Sequence, residues 1–462
     1  MKVELARHTH NAPDLVASAA RTCTGAHAQF STPADLQKRI VPGTFNAGHH
    51  TLFEYPDFVF VLTGISRRLV WLLHDHPYYN SSQQSQRWVT ASRSYHVPYF
   101  EDNGSTALYK ECAELMFNTY SILVGLLEPV TYAAVEARFP NRREGQLTAA
   151  ATRYAQEVAR YILPLAAHTN LYHKVSAVTI MRLWRVSQEG ECAKEFGLLA
   201  SKMLGYAEQI TPLIFDSIGP PNDPIPMPIL KDDVVWWDVD AAASYIEGSG
   251  APETLVDTLT NIRKKEDVRD ALQVYSISKR HRLLAMWNLS YAKVLSHTAD
   301  SQDQRHRTIP GCRPNLVSIL DLDQPAYIIP TLLKAAGAEA ALSLYKRTME
   351  SVWASMRLLS ANAERDDTAY LLPNAFPVPL LSNGTVADHL HKWRLRLCLN
   401  AQEEIWRVTK QEVAQSGIPA DLVGPPCRLR YLRGIKPYCP EGPRFCGKKV
   451  WKGSIDETDR SI

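Results

Sequence analysis

A proline-rich segment near the middle of the 462-residue chain divides it into two halves. Residues 218–233 read IGPPNDPIPMPILKDD, and the five prolines among them exclude a continuous helix and disfavour a central strand. We therefore predict a linker at 218–233, one folded unit at 1–217 and a second at 234–462. Each half is long enough to bury a hydrophobic core of its own.

Short motifs recur in the same order in the two halves. The offset between matching motifs shrinks along the chain, which indicates that the second half has lost a segment. Ordered recurrence on either side of a linker indicates a duplication. The matches are Ser66 with Ser296, His76 with His306, ILP at 162–164 with LLP at 371–373, and GPP at 219–221 with GPP at 424–426.

Hydrophobic patterning predicts a mixed fold. The aromatic and β-branched residues of TLFEYPDFVFVLTGI, residues 51–65, alternate as in a half-buried strand. A helix is expected to follow, with Ser66 as its N-cap. The predicted fold class is α+β: two tandem units, each with helices packed around an antiparallel sheet. Further amphipathic helices are predicted at 149–165, 193–206, 255–274, 338–361 and 386–416.

Composition argues against several classes of protein. Charged residues make up 21% of the chain and the formal net charge is +3, so no polycationic surface for nucleic acid is expected. The sequence has no run of about 18 apolar residues that would predict a membrane span. Its first twenty residues carry charges and histidines where a secretory signal needs an apolar run. We therefore expect a cytoplasmic protein.

The cysteines do not predict a disulfide framework, because eight are scattered through a long chain. Cys427, Cys439 and Cys446 lie close together in sequence, but their spacing lacks the paired CxxC of a typical zinc site. We predict no metal and interpret these three as reduced, structural cysteines. A structural metal is the alternative.

Three motifs carry chemistry. The first, at 48–89, is a histidine-rich turn followed by a strand, a helix and the tripeptide Ser-Gln-Arg at 85–87. The second is SQDQRHR at 301–307. In the third, Arg396 stands five residues before AQEEI at 401–405. In this order and spacing, the motifs resemble the family of flavin-dependent thymidylate synthases.

The two halves depart from the family pattern in complementary ways. The family has an Arg-His-Arg triplet at the end of a helix and a Ser-x-Arg motif further along. The first half keeps Ser-x-Arg, but Asp75 and Pro77 replace the two arginines of the triplet. The second half keeps the triplet, but Asn315 and Val317 replace the serine and the arginine.

The resemblance implies FAD as the cofactor, NADPH and methylenetetrahydrofolate as co-substrates, and dUMP or a related uridylate as the nucleotide that is reductively methylated at C5. Arginine forks bind phosphates, and an arginine beside a pyrimidine carbonyl stabilises negative charge as C5 becomes nucleophilic. By resemblance, Arg396 takes that catalytic role. The implied cofactor-binding residues are His49, Thr51, Arg305, His306 and Arg307. The implied substrate-binding residues are Ser85, Gln86, Arg87, Arg160, Gln302, Arg305 and Arg396.

Complementary loss predicts one composite active site per chain, completed by residues of both halves. Members of the family are homotetramers with sites where subunits meet, so a homodimer of the tandem chain is expected to imitate the tetramer. Two other hypotheses stay open. The chain could alkylate a different nucleotide with the same flavin chemistry, or it could be a nucleotide-binding or scaffold protein without catalysis.

Overall fold

The computed structural model describes residues 1–87, 89–188, 194–218, 282–455 and 457–460. Short 3-10 helices lie at His50–Glu54, Arg160–Ile162, Arg282–Ala285, Thr331–Lys334, Ala369–Leu371, Ala420–Leu422 and Gly442–Arg444. In chain order, the helices and strands are β1 (Lys2–His8), α1 (Ala12–Thr24), α2 (Ala34–Asn46), β2 (Asp57–Ser66), α3 (Arg67–Asp75), β3 (Asn80–Gln83), α4 (Asn103–Arg138), α5 (Glu144–Ala159), β4 (His168–Ser176), α6 (Ala177–Ser187), α7 (Lys194–Ile210), α8 (Pro212–Ser217), β5 (Asn288–Ser296), α9 (His297–Asp303), β6 (Gly311–Cys312), α10 (Glu339–Leu359), α11 (Arg365–Thr368), β7 (Pro377–Thr385), α12 (Val386–Arg396), α13 (Glu403–Gln415) and α14 (Pro426–Leu432).

The described residues separate into two compact units that do not follow the order of the chain. The N-terminal compact unit contains residues 1–85, 92–99 and 165–218. The C-terminal compact unit contains residues 86–91, 100–164 and the described residues from 282 onward. Helices α4 and α5, which precede the proline-rich segment, therefore pack with elements that follow it. The predicted linker at 218–233 lies, except for Ile218, outside the described residues, and the predicted domain boundaries stay a prediction.

The N-terminal compact unit is built on a described sheet of strand order β1-β2-β4-β3, in which neighbouring strands are antiparallel. The predicted alternation in β2 buries Phe58, Phe60 and Leu62. Apolar residues of helices α1, α3, α6, α7 and α8 share one core with this strand. Burial of one stripe of each helix against the sheet is what holds the layers together.

The C-terminal compact unit contains the sheet β5-β7-β6, also antiparallel. Strand β5 pairs with β7 from Asn288 opposite Thr385 to Ser296 opposite Pro377. Helix α4 packs against both α5 and α10. Both units are thus mixed α+β structures with antiparallel sheets, as predicted. Among the helices that the structure describes, none is both long and apolar enough to cross a bilayer.

A strand-to-helix corner is repeated in the two units. Ser66 ends β2 and Ser296 ends β5, and each side chain accepts the backbone N–H three residues later, as predicted for Ser66. The Ser66 hydroxyl donates to the buried carboxylate of Glu195 at 2.5 Å, and the Ser296 hydroxyl donates to Glu404 at 2.6 Å. The same serine–glutamate corner at matching motif positions supports the duplication.

A second pair of matching residues meets in the C-terminal compact unit. Pro164 and Pro373 form an antiparallel bridge, and the Asn374 N–H donates to the Leu163 carbonyl at 2.8 Å. The two copies of this motif, ILP at 162–164 and LLP at 371–373, are therefore paired by backbone hydrogen bonding. The fourth match, GPP at 219–221 with GPP at 424–426, cannot be compared, because the first copy lies outside the described residues.

The predicted helices are present with shifted ends, except that 255–274 lies outside the described residues. Residues 149–165 hold the end of α5 and the 3-10 turn Arg160–Ile162, not one continuous helix. The helix predicted at 386–416 is two helices, α12 and α13. Glu403 and Glu404 occupy the first turn of α13, where acidic side chains favour a helix start. The interruption places Arg396 at the last residue of α12.

Candidate functional site

Glu157 is the centre of an arginine cluster in the C-terminal compact unit. Arg87 Nε donates to Glu157 Oε2 at 2.6 Å, and Arg460 Nη2 donates to Glu157 Oε1 at 2.8 Å. A second nitrogen of Arg87 donates to the Asn400 carbonyl at 2.6 Å. The buried Arg160 lies beside this pair, and its Nε donates to the Glu157 carbonyl at 3.2 Å. Two predicted residues of the first half, Arg87 and Arg160, are thus brought together.

The cluster carries more positive than negative charge. Burial opposes ionisation of Glu157, but Arg87, Arg460 and Arg160 outweigh it and lower the Glu157 pKa to about 2. Burial lowers the Arg160 pKa to about 10, so its guanidinium stays charged at neutral pH. Among the described residues, Arg160 Nη2 and Arg460 Nε and Nη1 have no hydrogen-bond partner. Buried donors of this kind fit an anionic ligand, because an unpaired buried charge is costly.

Arg396 and His306, both predicted from the second half, bind each other. Arg396 Nε donates to His306 Nε2 at 2.9 Å, and Arg396 Nη2 donates to the Gln302 carbonyl at 2.5 Å. Burial, helped by the charge of Arg396, lowers the His306 pKa well below its ordinary value, so the ring is neutral and accepts. Burial lowers the Arg396 pKa to about 10, and the charges of Arg305 and Arg87 act in the same direction.

Gln302, a predicted substrate contact, begins a chain of hydrogen bonds to the repeated corner. Its amide nitrogen donates to Gln402 Oε1, and Gln402 Nε2 donates to the Tyr161 hydroxyl at 2.6 Å. Tyr161 in turn donates to Glu404 Oε2 at 2.5 Å. Burial raises the Tyr161 pKa well above its ordinary value, so the hydroxyl remains a donor. Gln402 and Glu404 lie inside the AQEEI motif, but their neighbours come from distant segments.

A buried ionic cluster of two lysines and two carboxylates includes Asp303, the residue that follows Gln302. Lys293 Nζ lies 2.7 Å from Asp303 and 2.8 Å from Glu412, and Lys392 Nζ lies 2.8 Å from Asp303. The charge of Asp303 acts on both Arg396 and His306. No sequence motif predicts this ionic cluster, which is a feature of the second half. In the register set by the repeated motifs, the first half has uncharged residues there: Thr63, Leu73, Leu183 and Met203.

The other predicted residues lie in three places. Arg305 and Arg307 are exposed in the turn that follows α9. Gln86 is buried in the C-terminal compact unit, where its Oε1 accepts from Asn374 at 3.2 Å. The remaining three belong to the N-terminal compact unit: Ser85, His49 and Thr51. His49 and Thr51 line a cavity of about 570 Å³ in that unit, together with Arg21 and Arg39.

The first-half counterpart of the Arg-His-Arg triplet has an aromatic environment. Asp75 is exposed at the end of α3, and His76 lies 5.8 Å from the ring of Phe196. Tyr79 stacks between His74 and His173, with ring centroids 4.8 and 5.6 Å apart. Burial lowers the His173 pKa to about 4, so this ring is neutral at physiological pH. A neutral stack beside an acid does not suit phosphate binding.

The cysteine segment has the properties of packed, neutral thiols. Burial raises the pKa of Cys398 to about 12 and that of Cys427 to about 11. Cys446 is buried in a small apolar cluster with Leu399 and Trp406. Within the described ranges, no group of three or more histidine, cysteine or acidic side chains is arranged to hold a metal ion. The structural role of the cysteines stays a prediction.

Cys446→Ser is expected to lower the thermal unfolding midpoint by a few degrees, because a smaller, more polar hydroxyl replaces the thiol that packs with Leu399 and Trp406. Ligand binding per folded molecule should be unchanged. Differential scanning calorimetry and nucleotide titration measure the two quantities. The exposed Cys312→Ser is the control and should change neither. Selective loss of binding in stable Cys446→Ser protein would contradict a structural role.

Glu157→Gln is expected to lower the free energy of unfolding by about 3 kcal/mol at neutral pH, because buried arginines lose their shared carboxylate. The folded-state pKa of about 2 lies below the ordinary value of 4.5, so this stabilisation is complete above about pH 5 and is lost as pH falls toward about 2. Urea unfolding of wild type and variant should therefore converge in acid. The exposed Glu111→Gln is the control, and a pH-independent difference would refute the assignment.

The structure is that of an α+β protein with a buried arginine cluster to which Arg87 and Arg160 of the first half and Arg460 of the second half contribute. The family model described as thymidylate synthase complementing protein matches residues 4–213 and 241–416. These two regions take in more than half of the chain and lie on either side of the proline-rich segment. The chain therefore belongs to the thymidylate synthase complementing protein family.

Curated relatives each match about half of the chain. A flavin-dependent thymidylate synthase of Clostridium tetani is 29% identical over 227 residues, which are 48% of this chain and 87% of the relative. The enzyme of the same name from Nitratidesulfovibrio vulgaris is 27% identical over 237 residues, 47% of this chain and 86% of its own. The enzyme of the same name from Geobacter sulfurreducens is 26% identical over 232 residues, which are 48% of this chain and 88% of the relative.

A solved structure is also similar. It is described as a UMP/dUMP methylase PolB from Streptomyces cacaoi bound with 5-Br dUMP. The match covers 47% of this chain and 94% of that chain, at 15% identity and a TM-score of 0.35. A likeness this slight carries no argument about substrate or mechanism.

Proposed function

We propose that this chain is an FAD-dependent enzyme that reductively methylates C5 of dUMP or a related uridylate, with methylenetetrahydrofolate and NADPH as co-substrates. One observation carries the proposal. Arg87 and Arg160 of the first half lie in the same compact unit as Arg396 and His306 of the second half. These are the residues that each half kept of the family pattern. The curated relatives, all named flavin-dependent thymidylate synthases, support the same reaction class.

The donor set of the second-half triplet fits an anionic dinucleotide cofactor. Arg305 and Arg307 are exposed, and their guanidinium groups suit the pyrophosphate of FAD. His306, which stands between them in the sequence, is buried. His49 and Thr51 belong to the N-terminal compact unit and stay a separate prediction for cofactor binding. The flavin, when bound, supplies the transfer of the one-carbon group and of hydride.

The protein's own residues bind and polarise the nucleotide. Arg87 and Arg160 are the proposed partners of the 5′-phosphate, and Gln86 and Gln302 are proposed to position the nucleotide. Arg396, charged and fixed by His306, would stabilise negative charge on a pyrimidine carbonyl. The hydrogen bonds of Gln402 and Tyr161 hold the Gln302 side chain, so that the site is organised before substrate binds.

The proposed active site is composite and present once per chain. The counterpart region of the first half has Asp75 and an aromatic stack where the second half has arginines, so it lacks the cations that phosphates need. A homodimer of the chain would imitate the tetramer of the family.

An absorbance spectrum of purified protein is expected to show one flavin per chain. Bound flavin absorbs visible light, and the amount of flavin extracted per amount of protein gives the stoichiometry. Titration with dUMP should then perturb the flavin spectrum. A colourless protein that cannot be reconstituted with FAD, or two flavins per chain, would each overturn part of the proposal.

A further inference from the structure

The side-chain amide of Gln302 has a fixed direction. Its nitrogen Nε2 donates to the Thr298 carbonyl at 3.3 Å and to Gln402 Oε1, so both N–H groups of the amide face oxygen atoms. Rotation of the amide by half a turn would bring its oxygen against the Thr298 carbonyl, which cannot donate. The atom left for a ligand is therefore Gln302 Oε1, which has no hydrogen-bond partner among the described residues.

A second chain of hydrogen bonds fixes the direction of the Gln402 amide. The Glu404 carboxylate accepts from the Ser296 N–H and from the Ser296 hydroxyl, each at 2.6 Å. The Tyr161 hydroxyl has one proton and donates it to Glu404 at 2.5 Å, so its oxygen accepts from Gln402 Nε2 at 2.6 Å. Gln402 can then present only Oε1 to Gln302. Tyr161 and Gln402 are buried, which keeps water from replacing either bond.

Arg396 places hydrogen-bond donors beside the free oxygen of Gln302. Its Nη2 donates to the Gln302 backbone carbonyl at 2.5 Å, and its Nε donates to His306 Nε2 at 2.9 Å. These two contacts fix the plane of the guanidinium group and use two of its five N–H groups. Gln302 and Arg396 thus form an adjacent pair, in which one side chain offers an acceptor and the other offers donors.

The first half lacks this donor–acceptor pair. In the register set by the repeated motifs, Leu72 occupies the position of Gln302, and Ser187 occupies the position of Arg396. Leucine has no polar side-chain atom, and the serine hydroxyl carries no charge. The pair is therefore a feature of the second half, although Tyr161, at the far end of the chain of hydrogen bonds, belongs to the first half.

An acceptor beside a donor matches the imide edge of uracil. Uracil carries N3–H between two carbonyl groups, so N3–H can donate to Gln302 Oε1 while a neighbouring carbonyl accepts from Arg396. Cytosine has no proton on N3, and the N3 lone pair would face Gln302 Oε1. Two acceptors that face each other both stay unpaired, which is costly where water is excluded.

We propose that Gln302 and Arg396 recognise the imide edge of uracil, with Gln302 accepting from N3–H and Arg396 donating to the adjacent carbonyl. Gln402 and Tyr161 are positioning residues that set the polarity of this pair. The site therefore takes uracil nucleotides and rejects cytosine nucleotides. The inference rests on the proposed function for the presence of a pyrimidine nucleotide at Arg396.

Calorimetric titration of the flavin-loaded protein with dUMP, dCMP and N3-methyl-dUMP tests this inference. The three ligands share phosphate and deoxyribose, but only dUMP can donate from N3. Wild type is expected to bind dUMP at least about tenfold more tightly than either of the others. Gln302→Met, which keeps the length of the side chain without the oxygen, should bind all three within about threefold of one another. Gln402→Met should lower the preference less, because Gln302 keeps its bond to Thr298.

Gln411→Met is the matched control, because Gln411 is exposed on α13, the helix that begins directly after Gln402. It should keep the wild-type preference. A general loss of folding or of phosphate binding changes all three affinities together, so their ratio reports recognition of the base alone.

Equal binding of dUMP and N3-methyl-dUMP by wild type, or an unchanged preference in Gln302→Met, would overturn the imide recognition and leave the proposed function standing. An unchanged preference in Gln402→Met would remove its positioning role. If wild type binds none of the three ligands, the proposed function is wrong, and the inference that rests on it is wrong as well.

Discussion

Arg87→Lys and Arg396→Ala, in different halves of the chain, are each expected to weaken dUMP binding by about 10- to 100-fold. Lysine at 87 keeps a charge beside Glu157 but loses the guanidinium fork that binds two acceptors, Glu157 and the Asn400 carbonyl. Alanine at 396 removes the donor to His306 and the positive charge proposed to face the pyrimidine. Titration of the flavin absorbance with dUMP measures both effects.

Arg347→Ala is the matched control for these two variants. Arg347 is exposed on α10 in the same compact unit and should leave dUMP binding unchanged. Circular dichroism establishes that each variant is folded before titration. If only one of the variants Arg87→Lys and Arg396→Ala weakens dUMP binding, the composite site is wrong.

Arg305→Ala/Arg307→Ala is expected to remove bound FAD while leaving the fold intact. Both side chains are exposed, so their truncation costs little stability. Each charged hydrogen bond to a phosphate contributes about 1.5–3 kcal/mol, so the loss of two lowers FAD affinity by about two to four orders of magnitude. The flavin content of purified protein, and its recovery on adding FAD, are the measurements.

The first half supplies the control for this variant at the matching positions. Asp75→Ala/Pro77→Ala changes the two residues that replace the triplet arginines there, and Asp75 and Pro77 are also exposed. Flavin content should stay at one per chain in this protein. Retention of flavin by Arg305→Ala/Arg307→Ala would place the cofactor elsewhere, with the His49 and Thr51 cavity as the next candidate.

Local features of the fold could be predicted because they depend on neighbouring residues. Alternation in β2 and the capping serine Ser66 are written within a few positions, and the structure has both. The packing of α4 and α5 with the later elements could not be predicted. Periodicity identifies which face of a helix is apolar, but it does not identify the surface that covers that face. The predicted break at the proline-rich segment therefore does not predict that α4 and α5 pack with elements that follow this segment.

The site shows the same division between local and distant information. Arg87, Arg160 and Arg396 stand in motifs whose spacing could be compared with a family. Glu157 lies three residues before Arg160 in the same motif, yet its role depends on Arg460, some three hundred positions later. Arg460 lies beyond the family match and in no motif. A contact between an ordinary glutamate and an ordinary arginine carries no sequence signal of its own.

Helix α4 packs in the C-terminal compact unit, with elements that are synthesised much later, and this has a consequence for synthesis on the ribosome. Helix α4 is complete at Arg138, but its partner α10 begins only at Glu339. At translation rates of about 5–20 residues per second, the apolar face of α4 waits roughly ten to forty seconds for that partner. Met116 and Phe117, fully buried in the finished protein, are exposed to solvent or to a chaperone in that interval. Slow elongation between Arg138 and Glu339 would lengthen this exposure. The yield of native protein should therefore depend more on codon usage between these two residues than on codon usage after Glu339.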